Sequence, residues 1–394
     1  MTYRSKVAWI FLLGFALDLV NMFVATVAYP DIARELQASV TQLAWISNAY
    51  MLGLTVIIPF SVWLAAMMGE RGLIAASLLL FAGASLLVGQ ASSIEALIGW
   101  RGLQGVGGGL LIPVGQAMAY RYFPPAERSQ LTARVMSVAL LVPALSPALG
   151  GLIVDSVSWR WIFYANLPLA LITLLLALLW IKPDRPTNAR PALDVGSIFQ
   201  QARSPMLRTT MLIYLCIPGV FIGTSLIAIL YLRGLGYDAT QTGALMLPWA
   251  LASALAIYLS KKLFNRCGPK PLLLAGMALQ CVGILLLNVP TLIVPAYLLM
   301  GLGGSLCSST AQTLAFLDTP AERMGHASAL WNINRQVSFC LGAAALSALL
   351  SALDSFAITF TMAAGLTLLP FFAVLRLDTS RVRTLLHPAS EPHP

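Results

Sequence analysis

Hydrophobic residues in this chain run in long blocks, unlike the short alternations of a half-buried strand or the one-sided stripe of a surface helix. Twelve blocks follow one another, at residues 7–29, 44–67, 73–91, 94–119, 131–155, 161–181, 209–232, 241–260, 271–288, 292–316, 327–350 and 354–375. Each is about 20 residues long, the length a helix needs to cross a ~30 Å hydrocarbon core. Backbone groups in hydrocarbon must be satisfied within the segment, and blocks of this length predict helices rather than barrel strands. The block from Val7 to Tyr29 is too long for the apolar core of a signal peptide and carries Asp18 in its middle, so it reads as the first span. Between the sixth and seventh blocks, Lys182 to Arg208 is polar and holds Pro183, Pro186 and Pro191, which marks a linker. The predicted fold class is an all-α membrane protein of twelve transmembrane helices in two six-helix pseudo-symmetric halves. Residues 1–181 form the first half, 182–208 the cytoplasmic linker, 209–376 the second half and 377–394 a cytoplasmic tail.

Internal repetition supports the two halves. Gly105-Val106-Gly107-Gly108-Gly109 followed by Gln116 matches Gly301-Leu302-Gly303-Gly304-Ser305 followed by Gln312, at an offset of 196 residues. Pro125-Ala126-Glu127-Arg128 matches Pro320-Ala321-Glu322-Arg323 at an offset of 195, and Gly69 with Arg71 pairs more loosely with Gly268 and Lys270 near 199. Parallel repeats of six spans are the architecture of rocker-type carriers, whose substrate site lies between the halves near the bilayer midplane.

Composition and charge narrow the picture. With 58% hydrophobic and 10% charged residues, the 394-residue chain does not fit a soluble core with a charged coat, and no soluble domain is visible. Of the 24 Lys and Arg, Arg34, Arg160 and Arg233 fall on one side and Arg101 and Arg335 within spans; all others fall on the opposite side. Basic loops are retained in the cytoplasm, so both termini are expected there, in a bacterial inner membrane. The net charge of +9 follows from this topology and requires no nucleic acid. Cys216, Cys267, Cys281, Cys307 and Cys340 show no close pair, so disulfide and metal sites are not expected. His326, His387 and His393 lie in a loop and the tail without carboxylate pattern, phosphate loop or nucleophile elbow, so no cofactor and no enzyme is expected. A membrane-embedded enzyme or scaffold would need a catalytic constellation that the sequence does not show. The expected partners are the lipid bilayer and a small-molecule substrate, with the chain acting as a monomer.

The runs Arg101-Gly102-Leu103-Gln104-Gly105 in the fourth block, Pro143 to Gly151 in the fifth and Trp159 to Pro168 before and into the sixth together resemble motifs of the major facilitator superfamily, and within it the drug:proton antiporter group, a resemblance that covers nearly the whole length. Arg101-Gly102-Leu103-Gln104-Gly105-Val106-Gly107-Gly108-Gly109 resembles the family's motif B, whose arginine is implicated in proton coupling. Pro143, Pro147, Gly150 and Gly151 resemble motif C, the signature associated with exporters. Trp159-Arg160-Trp161-Ile162-Phe163-Tyr164-Ala165-Asn166-Leu167-Pro168 is similar to a segment of fourteen-span drug exporters, although this chain has room for twelve. The loop after the second span departs from the family pattern. Leu64, Gly69 and Arg71 are kept, but Val62 stands for the usual first glycine and Ala66 for the usual aspartate, with Asn265 at the corresponding place in the second half.

An ionisable side chain near the bilayer centre is costly unless paired or hydrated, so the candidate chemistry lies with Asp18, Arg101 and Arg335. Helical rise places Asp18 and Arg335 close to the midplane, and a long guanidinium brings Arg101 to the same level, so the three charges are expected to share one cavity. Asp18 is the expected proton-binding group and Arg101 its modulator, or the charges form a structural ion pair. Arg335 is either a second modulator or a contact for anionic substrate atoms. Asn21, Gln104 and Asn332 each lie three residues from one of these charges, on the same helix face, and either line the cavity or tie helices together. Trp331, Trp45 and Tyr50 offer apolar contact to a substrate, or packing and interface anchoring. Gly105, Gly108, Gly150 and Gly151 permit close helix approach, and Pro143 and Pro147 a bend; together they either hinge or seal the path or serve tight packing alone. The resemblance implies a proton-driven exporter of small amphiphilic compounds. One acid against two arginines favours neutral, zwitterionic or anionic compounds, which keeps open a dedicated exporter of a metabolite such as a carboxylate siderophore.

Overall fold

The computed structural model describes residues 1–184, 194–237 and 239–386, so 185–193 of the linker and 387–394 of the tail lie outside the described residues. Among the described residues the secondary structure is entirely helical. The chain opens with α1 (Tyr3–Val24), α2 (Tyr29–Leu36), α3 (Val40–Ile57), α4 (Ser61–Met68), α5 (Glu70–Gly89) and α6 (Ile94–Tyr122). It continues through α7 (Arg128–Ser156), α8 (Arg160–Tyr164), α9 (Asn166–Trp180), α10 (Val195–Gln200), α11 (Pro205–Tyr214), α12 (Val220–Gly234) and α13 (Ala239–Ala244). The remainder is α14 (Met246–Cys267), α15 (Pro269–Leu286), α16 (Ile293–Leu317), α17 (Met324–Leu353), α18 (Phe356–Leu366), α19 (Phe371–Leu375) and α20 (Thr379–Leu386).

Among the described residues, eleven stretches are long and apolar enough to cross a membrane. The remaining block from the sequence is α6, which at 29 residues is the right length but is diluted in hydropathy by its glycines, Gln104, Gln116 and Arg101. Several boundaries differ from the sequence reading. The first block does not run unbroken to Tyr29: α1 ends at Val24, a 3-10 turn covers Ala25–Ala28, and α2 restarts with Pro30 in its first turn, where a missing N–H costs nothing. The linker carries a short helix, α10, and α11 begins at Pro205 behind a Ser204 cap. Between α11 and α12 the chain makes a π-turn at Leu215–Gly219, where Pro218 cannot donate to the α-helical ladder.

Contacts divide the chain into two compact units. The first comprises Met1–Phe123, Val138–Gln200 and Ala321–Leu330; the second comprises Pro124–Ser137, Gln201–Pro320 and the chain from Trp331 on. The first unit has an apolar cluster around Ile32, Ile46, Val88, Leu97 and Phe163, and the second one around Leu232, Ile284, Ala296, Leu346 and Phe360. On the outside, large apolar residues recur at helical spacing, such as Leu141, Leu145, Leu149 and Leu152 on α7 and Leu247, Leu251 and Leu255 on α14, all exposed. A water-facing surface would not carry such stripes; a lipid-facing one does.

The repeat read from the sequence has a counterpart inside each unit. Gly69 and Gly268 both have φ +78°, and each N–H closes the preceding helix, onto Ala65 and Phe264 respectively. A Cβ on Gly105 would overlap the carbonyl oxygen of Tyr50 on α3, and one on Gly301 would overlap that of Trp249 on α14. Likewise a Cβ on Gly107 would press on the backbone of Phe81, and one on Gly303 on that of Gln280. The glycines therefore let α3 and α5 close on α6, and α14 and α15 close on α16, in the same pattern.

Candidate functional site

In the first unit this close approach has a polar consequence. Gly53 on α3 faces the Gly102 carbonyl, and Gly105 and Gly109 on α6 face the carbonyls of Tyr50 and Leu54, so the two helices meet backbone to backbone. Tyr50 is thereby carried toward α1, where Asp18 and Asn21 lie one helical turn apart. Its hydroxyl donates to Oδ1 of Asp18. Gly108 lies alongside, and a Cβ there would sit 2.8 Å from the Tyr50 hydroxyl and 3.2 Å from the Asp18 carboxylate. Gly108 thus makes room for a side-chain pair, whereas Gly105 makes room for a backbone.

Arg101, one turn before Gly105, is fully buried, as are Asp18, Asn21 and Gln104. Its fork is spent on four acceptors: Nε on the Ile46 carbonyl at 3.2 Å, Nη1 on Gln104 Oε1 at 2.8 Å and Asn21 Oδ1 at 3.3 Å, and Nη2 on the Asn21 carbonyl at 3.2 Å. Gln104 in turn donates to Ser85 at 2.6 Å, and Asn166 donates to Asn21 Oδ1 at 3.0 Å. Arg101 forms no ion pair with Asp18 among the described residues. The guanidinium instead lies 4.5 Å from the centroid of the Tyr50 ring, within cation–π range, so Tyr50 stands between the two charges. A buried guanidinium is tolerable only when its donors are met, and here fixed amides and carbonyls meet them.

Of the residues singled out from the sequence, Asp18, Asn21, Arg101 and Gln104 are brought together in this network. Trp331, Asn332 and Arg335 lie on α17 in the second unit, where Trp331 is buried edge-on against Tyr214, 4.9 Å between centroids, and against Phe316 at 6.0 Å. Trp331 is packed there as a core aromatic. Trp45 is exposed on α3. Sequence reasoning missed the polar parts played by Tyr50, Ser85 and Asn166. The signal for Asn166 was present, since it sits in the Trp159–Pro168 segment, and its bond to Asn21 gives that segment a role.

The expected gating residues divide by role. Gly69 has the positive φ that ends α4, and a Cβ on it would press on the Asp184 carboxylate at 2.8 Å. That carboxylate caps α5, accepting from the Glu70 N–H and, at 3.2 Å, from the Arg71 N–H, while the Arg71 side chain donates to the Leu178 carbonyl at 2.6 Å. Ala66 lines a cavity of about 190 Å³ together with Glu70, Arg121, Glu322 and His326. There Arg121 pairs with Glu70 at 2.8 Å and donates to the Ala321 carbonyl at 3.2 Å. In the second unit Asn265 donates at 2.6 Å to Ala126, which is the repeat counterpart of Ala321. α7 is continuous through Pro143; the Pro147 side chain lies outside the described residues. A Cβ on Gly150 would meet Val24 at 2.5 Å, so this glycine admits α1, whereas nothing lies within 4 Å of Gly151.

The Trp159-Arg160 pair anchors the other end of the first unit. Arg160 donates to the carbonyls of Gly89 at 2.9 Å and Ala91 at 2.7 Å and pairs with Glu35 at 2.6 Å, and the Trp159 indole donates to Glu35 at 2.6 Å. The Arg160 guanidinium, then the Trp159 N–H, hold the Glu35 carboxyl below the usual carboxylate range. A group whose pKa is lowered by folding stabilises the protein above its unfolded-state value and loses that contribution as pH falls through the folded one. Thermal stability of the purified protein is therefore expected to fall in acid below the usual glutamate range, and Glu35→Gln to remove part of that acid dependence. Glu35 is half-exposed, so the effect is small.

Comparisons with known proteins bear on the family and the fold. Residues 11–343 match the family profile described as Major Facilitator Superfamily. The chain is 28% identical over 400 residues to the multidrug resistance protein Stp of Mycobacterium tuberculosis, covering 86% of this chain and 74% of that protein. It is 27% identical over 407 residues to the putative multidrug resistance protein MdtD of Cronobacter sakazakii, covering 87% and 86% respectively. Among solved structures, the human organic anion transporter MFSD10 superposes with a TM-score of 0.77 at 17% identity, over 95% of this chain and all of that one, a likeness of fold.

Proposed function

The chain belongs to the major facilitator superfamily, and from that premise we propose that it exports small amphiphilic compounds in exchange for protons, as a multidrug-type efflux carrier. It is a multi-pass membrane transporter and not an enzyme. In this reading α6 supplies the twelfth span, the twelve spans form two six-helix halves, and both termini face the cytoplasm of a bacterial inner membrane. The observation that carries it is the buried Asp18 carboxylate, held by Tyr50 beside the Arg101 network. A carboxyl at such depth is expensive, and one whose hydrogen-bond donor can withdraw changes its proton occupancy with conformation. The relatives' names, given to multidrug resistance proteins, support efflux as the direction. Asn21, Gln104, Asn332 and Arg335 are the proposed substrate contacts, while Trp331 stays a packing residue; the proton gradient is the proposed energy source.

The test is uptake into everted membrane vesicles of a panel of neutral, cationic and carboxylate compounds, with and without a protonophore. Accumulation of at least one compound that collapses when the gradient is dissipated is the expected result. Uptake that is indifferent to the protonophore would remove proton coupling, and accumulation confined to one carboxylate would replace the multidrug reading with a dedicated exporter.

A further inference from the structure

Tyr50 touches both charges of the buried network: its hydroxyl donates to Asp18 and its ring lies under the Arg101 guanidinium. Its backbone carbonyl rests against Gly105 and its hydroxyl against Gly108, so the position of the hydroxyl is set directly by how α3 seats on α6. We propose that Tyr50 is a positioning residue for Asp18. While α3 is seated, the hydroxyl donates to the carboxylate and favours its charged form. When α3 withdraws by about 1–2 Å, the scale of ordinary helix shifts, the donor is lost and the carboxyl holds a proton instead. This inference rests on reading Asp18 as the proton-binding group.

Packing alone does not account for the pair. The repeat puts Trp249 of the second unit at the position of Tyr50, with its carbonyl against Gly301 as that of Tyr50 is against Gly105. There the crossing is filled by Trp249 stacked on Phe221, 5.3 Å between centroids and 10° between planes. An apolar aromatic pair is therefore sufficient to seat α14 on α16, and the hydroxyl and carboxylate in the first unit serve something besides seating. Among the described residues of that unit, the titratable and charged groups that act on Tyr50 and Arg101 include, besides Asp18, Tyr29 at the start of α2, whose hydroxyl is bonded to Ser47. Arg101 keeps its cation on the ring face and its donors on Asn21, Gln104 and Ile46, so it steadies the ring without competing for the carboxylate.

Tyr50→Phe keeps the ring, its packing and its cation–π contact and removes only the donor. The pH at half-maximal substrate-driven proton release, measured in proteoliposomes, is expected to move upward by about one unit in this variant. Gly108→Ala, which crowds the hydroxyl and carboxylate without altering either, is expected to move it in the same direction by less. Infrared titration of the purified protein, as the difference between each variant with Asp18 and its Asp18→Asn counterpart, reads the carboxyl directly and serves where transport is lost. An unchanged midpoint in Tyr50→Phe, by release and by infrared, would overturn the inference and leave Tyr50 a packing residue. Proton release that survives in Asp18→Asn would instead overturn the reading of Asp18 itself, so the two failures are distinguishable.

Discussion

Gly105→Val is expected to leave little folded protein in the membrane fraction, while Gly99→Ala on the same helix is expected to be neutral or slightly stabilising. A Cβ at position 105 overlaps the Tyr50 carbonyl oxygen and lies 3.1 Å from the Leu54 nitrogen. Both are backbone atoms of a packed helix and neither yields without moving α3. Overpacking of this kind typically costs about 1–3 kcal/mol, and the branched side chain of valine adds to it. At Gly99 nothing lies within 4 Å, so alanine meets open space and recovers up to about 1 kcal/mol of helix propensity. Fluorescence-detected size-exclusion chromatography and thermal unfolding of the solubilised variants check the pair. A Gly105→Ala protein with the wild-type melting temperature would contradict the backbone-to-backbone contact of α3 and α6.

Asp18→Asn is expected to behave in the opposite way, with folding kept and coupling lost. Asparagine has nearly the same shape and its oxygen still accepts from the Tyr50 hydroxyl, so the contact between α1 and α3 is kept. It cannot take up a proton in the physiological range. Substrate-driven proton release is expected to fall by about tenfold or more, with the melting temperature little changed and gradient-independent substrate exchange retained.

The fold was legible because its code is coarse. Block length alone separates membrane helices from other elements, and the glycine runs at 105–109 and 301–304 announced the internal repeat before any packing was known. Boundaries were less legible: at Val24 and at Leu215–Gly219 the apolar run continues while the backbone changes helix type, and hydropathy does not register that change. In the site, Asp18, Arg101, Asn21 and Gln104 stood out because polar atoms in an apolar span are rare. Tyr50 did not, because its ring is apolar and its single hydroxyl becomes informative only when the glycines of α6 bring it to the carboxylate. Asp184 was hidden in a stretch that reads as linker, although its carboxylate caps a helix more than a hundred residues earlier in the chain. The substitution of Ala66 for the usual aspartate was visible in the sequence. That Arg121 serves the Ala321 carbonyl, as Asn265 serves that of Ala126, required the structure.

The most direct measurement is proton release driven by substrate in proteoliposomes of known orientation, read with a pH-sensitive dye in wild type and in Asp18→Asn, each first shown to be folded. Release in the wild type and its loss in the variant, with exchange retained, is the result expected of a carrier coupled through Asp18. Equal release from both proteins would show that the proton passes elsewhere and that the buried carboxylate is structural.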